Sequence, residues 1–510
     1  MSKTAALVMG IDCSTTSSKA ILWDGAGNLV AAGRSDLPLQ QEKLAWHEQP
    51  AGAWWTATAQ AIRQVMAQVD PSRLAALCIA HQRETFVPVD RHGTPLRNGI
   101  LWMDERARPL LPSLERALGK DSFHAVTGKP LTSNLTVAKI AWLQENEPEI
   151  FKASARFLDV QAYLVYRLTG LYRTGWGSAD PTGLYDLQHN HWAGQILAFL
   201  GLHTDQLPEV FPPGEVVGRV SRAAASVCGL PEGLPVAAGT GDGQAGGLGT
   251  NITGAGDAYL SLGTSLVSGT YSDTYTVSPA FRTLSAGLPG AYLLETVLLG
   301  GTYTINWLVE KFAGVPGSQP DMASWERAAQ DIPPGALGLL LVPYWNTAMS
   351  PYWDASASGI VVGWRGSHRL PHFYRAILEG TAFEQRLQTE GVENAIQQPV
   401  KRFIAVGGGA QSDVWCQIIS DVTGKAVFRA GTTEAASLGA GILAARAAGL
   451  FGDIQQAAAH MTRCQAIPFQ PDPARHAFYS RLYTEVYRSL FPALQAHLRR
   501  LAEIIESGER

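Results

Sequence analysis

Residues 9–23 read MGIDCSTTSSKAILW and give the first indication of the architecture. A strand-like apolar run ends at Asp12, five hydroxyl residues fill positions 14–18, and Lys19 opens a second strand-like run. A turn of small polar residues exposes backbone N–H groups and hydroxyls that together can hold an anion. The pattern predicts a hairpin that binds a polyphosphate, with a divalent cation between the phosphates and Asp12. The alternative is a turn whose hydroxyls satisfy its own backbone.

A second hairpin of the same kind stands about half a chain away. Residues 258–271 read AYLSLGTSLVSGTY, which is strand, GTS, strand, and residues 248–257 before it are rich in glycine. A chain of 510 residues is too long for one hydrophobic core. We therefore predict two domains of similar build, residues 1–252 and 253–510, with the two hairpins facing a shared cleft.

The composition is that of an ordinary globular protein. Strand-like and helix-like runs are mixed along the sequence, so the predicted class is α/β. Hydrophobic residues make up 46% of the chain, charged residues 16%, and the net charge is -4. Nothing in this balance indicates a nucleic-acid or membrane partner. The five cysteines are widely spaced, with no CxxC pair, which favours a reducing cytosol and a cytoplasmic location.

An acid in the middle of the chain is the candidate general base. Residues 234–250 read LPVAAGTGDGQAGGLGT, with Asp242 among glycines after a buried-type strand. The run contains GxGxxG, but a dinucleotide site would place an acid at the end of the next strand. Asp257 instead precedes its strand, so we reject that function. Asp242 fits a carboxylate that accepts an alcohol proton, and a helix cap is the structural alternative.

Two further motifs are candidates for the acceptor pocket. HQRET at residues 81–85 places Arg83 and Glu84 between two strand-like runs, and GILWMDERA follows at residues 99–107. Arg donates to hydroxyls and Glu accepts from them, so this pair suits a polyhydroxylated ligand if a bulge turns both side chains into one pocket. An exposed ion pair is equally consistent with the pattern. Trp102 and Asp104 would add an aromatic wall and an acceptor, unless they are a core Trp and a helix cap.

Three other patterns remain. VGGGAQSDVW at residues 406–415 lies between a strand-like and a helix-like run and is compatible with nucleotide binding. His189 and His191 have a metal-ligand spacing, but with no acidic or cysteine companion in view we interpret them as a solvated turn. The aromatic C-terminal helix from residue 476 to 505 is amphipathic, which predicts packing.

The chain resembles the FGGY carbohydrate kinases of the actin-like ATPase superfamily over essentially its whole length. The motifs that carry the resemblance are GIDCSTTSSK, HQRET, GILWMDERA, GTGDGQAGGLG, SLGTS, GGGAQSDVW and EAASLGAGILAA. The resemblance implies two ribonuclease-H-like domains with a cleft between them, and ATP with Mg²⁺ as the phosphoryl donor.

Site residues follow from the resemblance position by position. Asp242 is implied as catalytic base and substrate contact, and Asp12 as the metal-associated acid. The implied substrate-pocket residues are Arg83, Glu84, Trp102 and Asp104. The implied ATP-binding residues are Thr15, Thr16, Ser17 and Lys19 of the first hairpin, Gly263 and Thr264 of the second, and Gly408, Gly409 and Ser412 of the adenosine loop.

The substrate is predicted from mixed features. HQRET resembles glycerol kinases, whereas GGGAQSDVW and EAASLGAGILAA resemble xylulokinases. Asn134 stands where glycerol kinases show Tyr, and Ser14 replaces the family's usual glycine. We expect phosphorylation of D-xylulose to xylulose 5-phosphate, with glycerol or another polyol or ketose as the alternative.

A non-catalytic nucleotide-gated module is disfavoured because it predicts an appended peptide-binding domain. A homodimer is a possible assembly.

Overall fold

The structure is a computed structural model that describes residues 6–41, 43, 45–312, 322–345 and 347–506. Strands and helices are mixed through both halves of the chain, which confirms the α/β class. Among the described helices, none combines the length and the apolarity that crossing a bilayer requires.

The first half of the chain contains fourteen strands and ten α-helices among its described residues. The strands are β1 (Leu7–Cys13), β2 (Ser17–Asp24), β3 (Leu29–Asp36), β4 (Glu48–Gln49), β5 (Leu74–His81), β6 (Phe86–Val89), β7 (Gly99–Ile100), β8 (Arg156–Asp159), β9 (Arg173–Gly175), β10 (Tyr185–Asp186), β11 (His191–Trp192), β12 (Glu209–Phe211), β13 (Val216–Arg219) and β14 (Pro235–Gly241). The helices are α1 (Ala51–Met66), α2 (Leu111–Leu118), α3 (Lys120–Thr127), α4 (Thr136–Asn146), α5 (Pro148–Ala153), α6 (Val160–Thr169), α7 (Trp176–Ala179), α8 (Gly194–Leu200), α9 (Arg222–Cys228) and α10 (Asp242–Gly249).

The second half has fewer strands and longer helices. The strands are β15 (Asp257–Leu262), β16 (Leu266–Ser272), β17 (Arg282–Ser285), β18 (Tyr292–Leu298), β19 (Leu340–Val342), β20 (Ile360–Val362), β21 (Arg402–Val406) and β22 (Ala426–Arg429). The helices are α11 (Thr302–Phe312), α12 (Met322–Gln330), α13 (Leu370–Ile396), α14 (Asp413–Thr423), α15 (Ala435–Ala447), α16 (Ile454–Met461), α17 (Pro473–Leu482) and α18 (Arg488–Glu506).

Each half is built around one six-stranded sheet, and the two sheets share a topology. The first has the strand order β13-β14-β5-β1-β2-β3 and the second the order β17-β18-β16-β15-β21-β22. In the first sheet the hairpin β1–β2 is antiparallel, and β5 lies parallel to β1 with β14 parallel beyond it. The hairpin β15–β16 has β21 and β22 parallel beside it in the same way. This repeat confirms the prediction of two halves of similar build.

The central strand β1 is buried on both faces, which explains its almost continuous apolar sequence. Met9 and Ile11 point into a core that includes Trp54 of α1. Val8 points to the opposite face and packs in a cluster with Leu438 of α15. Because α15 belongs to the second half of the chain, this helix closes one face of the first sheet.

The C-terminal helices pack against α13, as their amphipathic pattern predicts. Tyr479, Tyr483, Tyr487 and Phe491 are all buried in the core of the second half, together with Phe383 of α13. These four residues recur every fourth position, slightly more than one α-helical turn. A π-helical turn at residues 483–487 has the wider period that keeps them on one face.

Candidate active site

The candidate site is built where three parallel strands of the first sheet end. Cys13 at the end of β1 is the register partner of His81 at the end of β5, and His81 is also paired with Gly241 at the end of β14. Ligands in open α/β sheets bind outside the carboxyl ends of such strands. The three predicted residues Asp12, Arg83 and Asp242 lie at or just beyond these ends, so the topology brings them together.

The first hairpin forms as predicted, and its tip is residues 14–16. The Ser14 hydroxyl donates to the Ser17 carbonyl at 2.9 Å, so part of the turn does satisfy its own backbone. Ser17 is buried, whereas Thr16 is exposed. The Thr15 hydroxyl accepts the Trp102 indole N–H at 2.9 Å, which joins a predicted nucleotide residue to a predicted pocket residue.

Asp12 lies in a markedly acidic setting. Burial raises the pKa of the Asp12 carboxyl to about 7, the negative charges of Asp242 and Glu434 act in the same direction, and Lys19 opposes them. Among the described residues, none hydrogen-bonds to its buried Oδ1 atom. Lys19 instead donates to both carboxylate oxygens of Glu434, each at 2.8 Å. A buried carboxylate oxygen without a donor, close to other carboxylates, has the chemistry that a hard divalent cation requires.

Asp242 is the first residue of α10, directly after β14. Its Oδ1 atom accepts the Gly243 backbone N–H at 2.8 Å and lies 3.0 Å from Nε of Arg83. The side chain nevertheless stays 43% exposed. Gly241, and not Asp242, is the N-cap of α10, so the helix-cap alternative is wrong. The oriented Asp242 carboxylate is open to a ligand.

Arg83 and Glu84 are the two ends of a chain of ion pairs that joins the two halves of the protein. Arg83 pairs with Glu295 of β18 at 2.8 Å, and Glu84 pairs with Arg282 of β17 at 2.9 Å. Arg282 also pairs with Glu295, which links the two pairs into one network. Although burial alone would raise it, the two guanidinium groups hold the pKa of Glu295 below its ordinary value.

The backbone at Glu84 explains how both side chains of this dipeptide reach one ion-pair network. Glu84 has φ of +54°, in the left-handed region that non-glycine residues rarely adopt. Its carbonyl accepts hydrogen bonds from the Lys139 ammonium at 2.7 Å and the Thr136 hydroxyl at 3.0 Å. These two donors stabilise the turn, so a left-handed residue takes the place of the bulge that the sequence suggested.

Trp102 and Asp104 have different environments. Trp102 is half-buried beside the first hairpin. Asp104 is fully buried, and its two oxygens accept hydrogen bonds from the Arg106 guanidinium, both at 2.8 Å. The His47 backbone N–H also donates to Asp104 at 2.6 Å. In this structure Asp104 holds its own loop, and a contact with substrate stays a prediction.

The predicted nucleotide residues of the second half lie together just beyond the ends of strands β15 and β21. Gly263 and Thr264 form the tip of β15–β16, and their carbonyls accept the N–H groups of Thr302 at 2.8 Å and Tyr303 at 3.2 Å. The tip carries an exposed Thr264. Because α11 anchors this tip through its backbone, the side chain of Thr264 remains open to a ligand.

The glycine-rich loop lies beside this tip. β15 and β21 are parallel neighbours, with Ser261 opposite Val406. A Cβ at Gly409 would lie 2.8 Å from the Leu262 carbonyl, whereas one at Gly408 would meet no atom within 4 Å. The Ser412 hydroxyl caps α14 by accepting the Trp415 N–H at 3.1 Å. The loop thus presents open space at Gly408, while Ser412 has a structural role.

The structure therefore groups the predicted residues into two clusters. One contains Asp12, Lys19, Arg83, Glu84 and Asp242. The other contains the second hairpin tip and the glycine-rich loop. No hydrogen bond or ion pair within the described part of the chain joins the predicted residues of one cluster to those of the other.

Three residues of the site were missed by the sequence analysis: Arg282, Glu295 and Glu434. Each comes from the second half and contacts a residue of the first half that is more than 190 positions away, so no local spacing links them. One signal was available, because Glu295 interrupts the apolar strand YLLETVL and is fully buried. A lone acid at a buried strand position requires a partner cation.

Comparison with known proteins assigns the family. The family model for the N-terminal domain of the FGGY family of carbohydrate kinases matches residues 7–249. The model for the C-terminal domain of the same family matches residues 258–448. The xylulose kinase of Bacillus subtilis is 28% identical over 488 residues, which cover 95% of this chain and 96% of the relative. The glycerol kinase of Alkalilimnicola ehrlichii is 31% identical over 492 residues, with coverage of 94% and 96%.

A solved structure agrees with the sequence comparison. The xylulose kinase of Rhodospirillum rubrum superposes with a TM-score of 0.88 at 28% identity, covering 96% of this chain and 99% of that one. This likeness confirms the expected pair of ribonuclease-H-like domains of the actin-like ATPase fold. Since the two domain matches span far more than half of the sequence, the chain belongs to the FGGY family of carbohydrate kinases.

Proposed function

We propose that this kinase transfers the γ-phosphoryl group of ATP to a terminal hydroxyl of D-xylulose and forms xylulose 5-phosphate. The similarity to xylulose kinases over almost the whole chain supports this substrate. The glycerol kinase at 31% identity and the Arg83–Glu84 pair support a second candidate, glycerol or another small polyol or ketose.

The observation that carries the proposal is the Asp242 carboxylate. It stays partly exposed while Arg83 and the Gly243 N–H fix one of its oxygens, which leaves the other oxygen to accept the proton of an acceptor hydroxyl. Phosphoryl transfer depends mainly on positioning and on neutralising charge, and a carboxylate is a sufficient base for it.

We propose that Asp12 takes part in binding Mg²⁺. Its buried Oδ1 atom without a donor and the nearby carboxylates of Asp242 and Glu434 fit a hard divalent cation. When bound, Mg²⁺ would neutralise the phosphate charge beside these carboxylates. Asp12 would then hold the nucleotide end of the reaction, and Asp242 the acceptor end.

The remaining assigned residues divide between nucleotide and acceptor. Exposed hydroxyls at Thr16 and Thr264 and open space at Gly408 support contacts to ATP. We retain the full predicted nucleotide set of Thr15, Thr16, Ser17, Lys19, Gly263, Thr264, Gly408, Gly409 and Ser412. For Lys19 such a contact requires that its ion pair with Glu434 open or be shared. For the acceptor pocket we retain Arg83, Glu84, Trp102 and Asp104.

Domain division and cellular context complete the proposal. We place the domain boundary at residue 252, and the gap between the two family matches, residues 250–257, supports it.

Four of the five cysteines are buried free thiols, which supports a cytoplasmic location. A homodimer is a candidate assembly, and light scattering after size-exclusion chromatography tests it.

A coupled ADP-release assay tests the function. Xylulose, ribulose, glycerol and erythritol are compared at equal concentration with ATP and Mg²⁺, and we expect the highest kcat/KM for xylulose. Asp242→Asn should abolish turnover yet retain ATP binding, whereas the control Asp273→Asn, at an exposed loop position, should match the parent. A higher kcat/KM for glycerol would assign the second candidate, and normal turnover by Asp242→Asn would refute the role of Asp242.

A further inference from the structure

The β10–β11 hairpin carries a group of side chains that the kinase site does not use. Asp186 ends β10, His191 begins β11, and these two residues are register partners. His189 lies in the connecting turn. The sequence analysis found no acidic companion for the two histidines, and that expectation is wrong: the His189 Nδ1 atom lies 3.0 Å from both carboxylate oxygens of Asp186.

The hairpin is a rigid support for these side chains. Tyr185 is buried and packs edge-to-face on Trp192, with 5.5 Å between the ring centroids. The Trp192 indole N–H donates to the Pro208 carbonyl at 3.1 Å, and the Leu187 N–H donates to the Val126 carbonyl at 3.1 Å. Both strands are therefore fixed to the body of the first half, and the three polar side chains project from an anchored backbone.

The spacing of the donor atoms suits a tetrahedral ion. One ligand atom from each of Asp186, His189 and His191 lies within 4.8 Å of the other two. Ligands bound to Zn²⁺ at about 2.0–2.2 Å with tetrahedral angles are roughly 3.3–3.6 Å apart. The separation of 3.0 Å between Asp186 and His189 is close to this range. The remaining separations need to close by at most about 1.5 Å, which rotation of the exposed His189 side chain supplies.

The hydrogen bond of His191 leaves a nitrogen free for a metal. Its Nδ1 atom lies 3.0 Å from the Trp192 carbonyl. A carbonyl only accepts, so Nδ1 carries the proton and Nε2 keeps its lone pair. Metal-binding histidines usually donate their other N–H in this way, because the bond fixes the tautomer and the ring orientation.

The other closely spaced histidine pair of the described chain is different. His368 and His372 have ring centroids 5.5 Å apart. Their Nδ1 atoms accept the backbone N–H groups of Arg365 and Arg369 at 2.9 Å and 3.1 Å. These lone pairs already accept backbone N–H groups, so histidine proximity alone does not distinguish the β10–β11 group. What distinguishes it is the available Nε2 of His191 and the carboxylate beside His189.

We propose that Asp186, His189 and His191 bind one divalent transition-metal ion of the Zn²⁺ class on the β10–β11 hairpin. Two imidazole nitrogens and one carboxylate oxygen select Zn²⁺, Ni²⁺ or Cu²⁺ over Mg²⁺, which prefers an all-oxygen octahedral shell. The ion takes the position of the proton shared by His189 and Asp186, and water completes the fourth position. This site is separate from the residues assigned to nucleotide and acceptor.

Calorimetric titration with ZnCl₂ tests the proposal on metal-free, tag-free, full-length protein without nucleotide. Every protein carries Cys464→Ser, since Cys464 is an exposed thiol that can itself bind Zn²⁺. We expect one tight equivalent in this parent, loss of that equivalent in His189→Gln/His191→Gln, and at least tenfold weaker binding in Asp186→Asn. His497→Gln, which removes an exposed histidine of α18, should bind like the parent.

Kinase turnover and thermal melting of every variant should match the parent, which shows that the fold is intact. Retention of the tight equivalent by the double histidine variant would overturn the proposal, because the ion would then bind elsewhere. A parent that binds no Zn²⁺ would overturn it equally. Neither outcome depends on which sugar the kinase phosphorylates.

Discussion

Glu295 is the single residue on which two arginines of the site converge. It is fully buried and pairs with Arg83 and Arg282. Arg83 in turn contacts Asp242, and Arg282 contacts Glu84. Glu295 is therefore a positioning residue: it holds two of the groups that we assign to the acceptor without needing to touch the acceptor itself.

Glu295→Gln should impair use of the acceptor more than use of ATP. The change keeps the shape of the side chain but removes the charge that holds Arg83 and Arg282, and a buried ion network is sensitive to loss of one partner. We expect the KM for the acceptor to rise about tenfold, which corresponds to about 1.4 kcal/mol. The KM for ATP should stay within about twofold. The control Glu149→Gln removes an exposed ion pair with Lys152 and should be neutral; an unchanged acceptor KM in Glu295→Gln would contradict the positioning role.

The ionised Asp12 carboxylate lowers the stability of the folded protein, although we assign it to Mg²⁺ binding. Burial and the neighbouring acids raise the pKa of its carboxyl to about 7, well above its value in an unfolded chain. The free energy of unfolding therefore falls as pH rises from about 3.8 to 7, because Asp12 must ionise in the folded protein over this interval. Asp12→Asn should raise the melting temperature at pH 8 in EDTA, and it should lower kcat at least about 100-fold with Mg²⁺ and ATP. A variant that is both less stable and fully active would contradict this assignment.

At the scale of elements, α13 is held to the C-terminal helices by tyrosine–glutamate hydrogen bonds. Tyr487 donates to Glu384 at 2.8 Å, and Tyr344 donates to the same carboxyl at 2.6 Å. Burial raises the pKa of Glu384 to about 7, although both hydroxyls oppose that shift. The contact between these helices thus contains a carboxyl that the folded state favours in its protonated form.

Glu384 predicts a pH dependence of stability. Its pKa in the folded protein lies above the unfolded value of 4.5, so the folded state binds more protons between these limits. The free energy of unfolding should fall as pH rises from about 4.5 to 7, by up to roughly 3 kcal/mol. Urea unfolding of Glu384→Gln from pH 5 to 8 should show a flatter profile than the parent. Glu485→Gln, at an exposed position of the π turn, serves as control; equal slopes in all three proteins would refute the prediction.

The elements that sequence predicted best are those with strong local patterns. Strand-like apolar runs identified β1, β2, β15 and β16, and the hydroxyl-rich turn located the first hairpin tip. The two-residue strands β4 and β7 were missed because two residues cannot show a period. The left-handed turn at Glu84 and the cation partner of Glu295 were also out of reach, since each depends on contacts with distant residues. Asp104 was assigned by motif to the pocket, whereas Arg106, only two positions along the chain, occupies its carboxylate.

At the scale of the whole molecule, helix α15 of the second half packs directly against β1 and α10 of the first half. A Cβ at Gly10 of β1 would lie 1.9 Å from the Ser437 carbonyl, and one at Gly439 would lie 1.9 Å from the Ala245 carbonyl. The Lys19–Glu434 ion pair stands at the start of the same helix. Glycine is required at both positions because backbones of the two halves are in direct contact there.

Gly439→Ala should weaken this junction although alanine is the better helix former by about 1 kcal/mol. The added methyl group would force α10 and α15 apart, so we expect a net loss of about 2–3 kcal/mol in the free energy of unfolding. Activity should fall as well, because Asp242 begins α10 and Glu434 immediately precedes α15. Calorimetric melting and steady-state kinetics measure both effects. Gly254→Ala, where a methyl group would meet no atom within 4 Å, should behave like the parent, and a Gly439→Ala protein as stable and active as that control would show that the two halves do not depend on close α10–α15 packing.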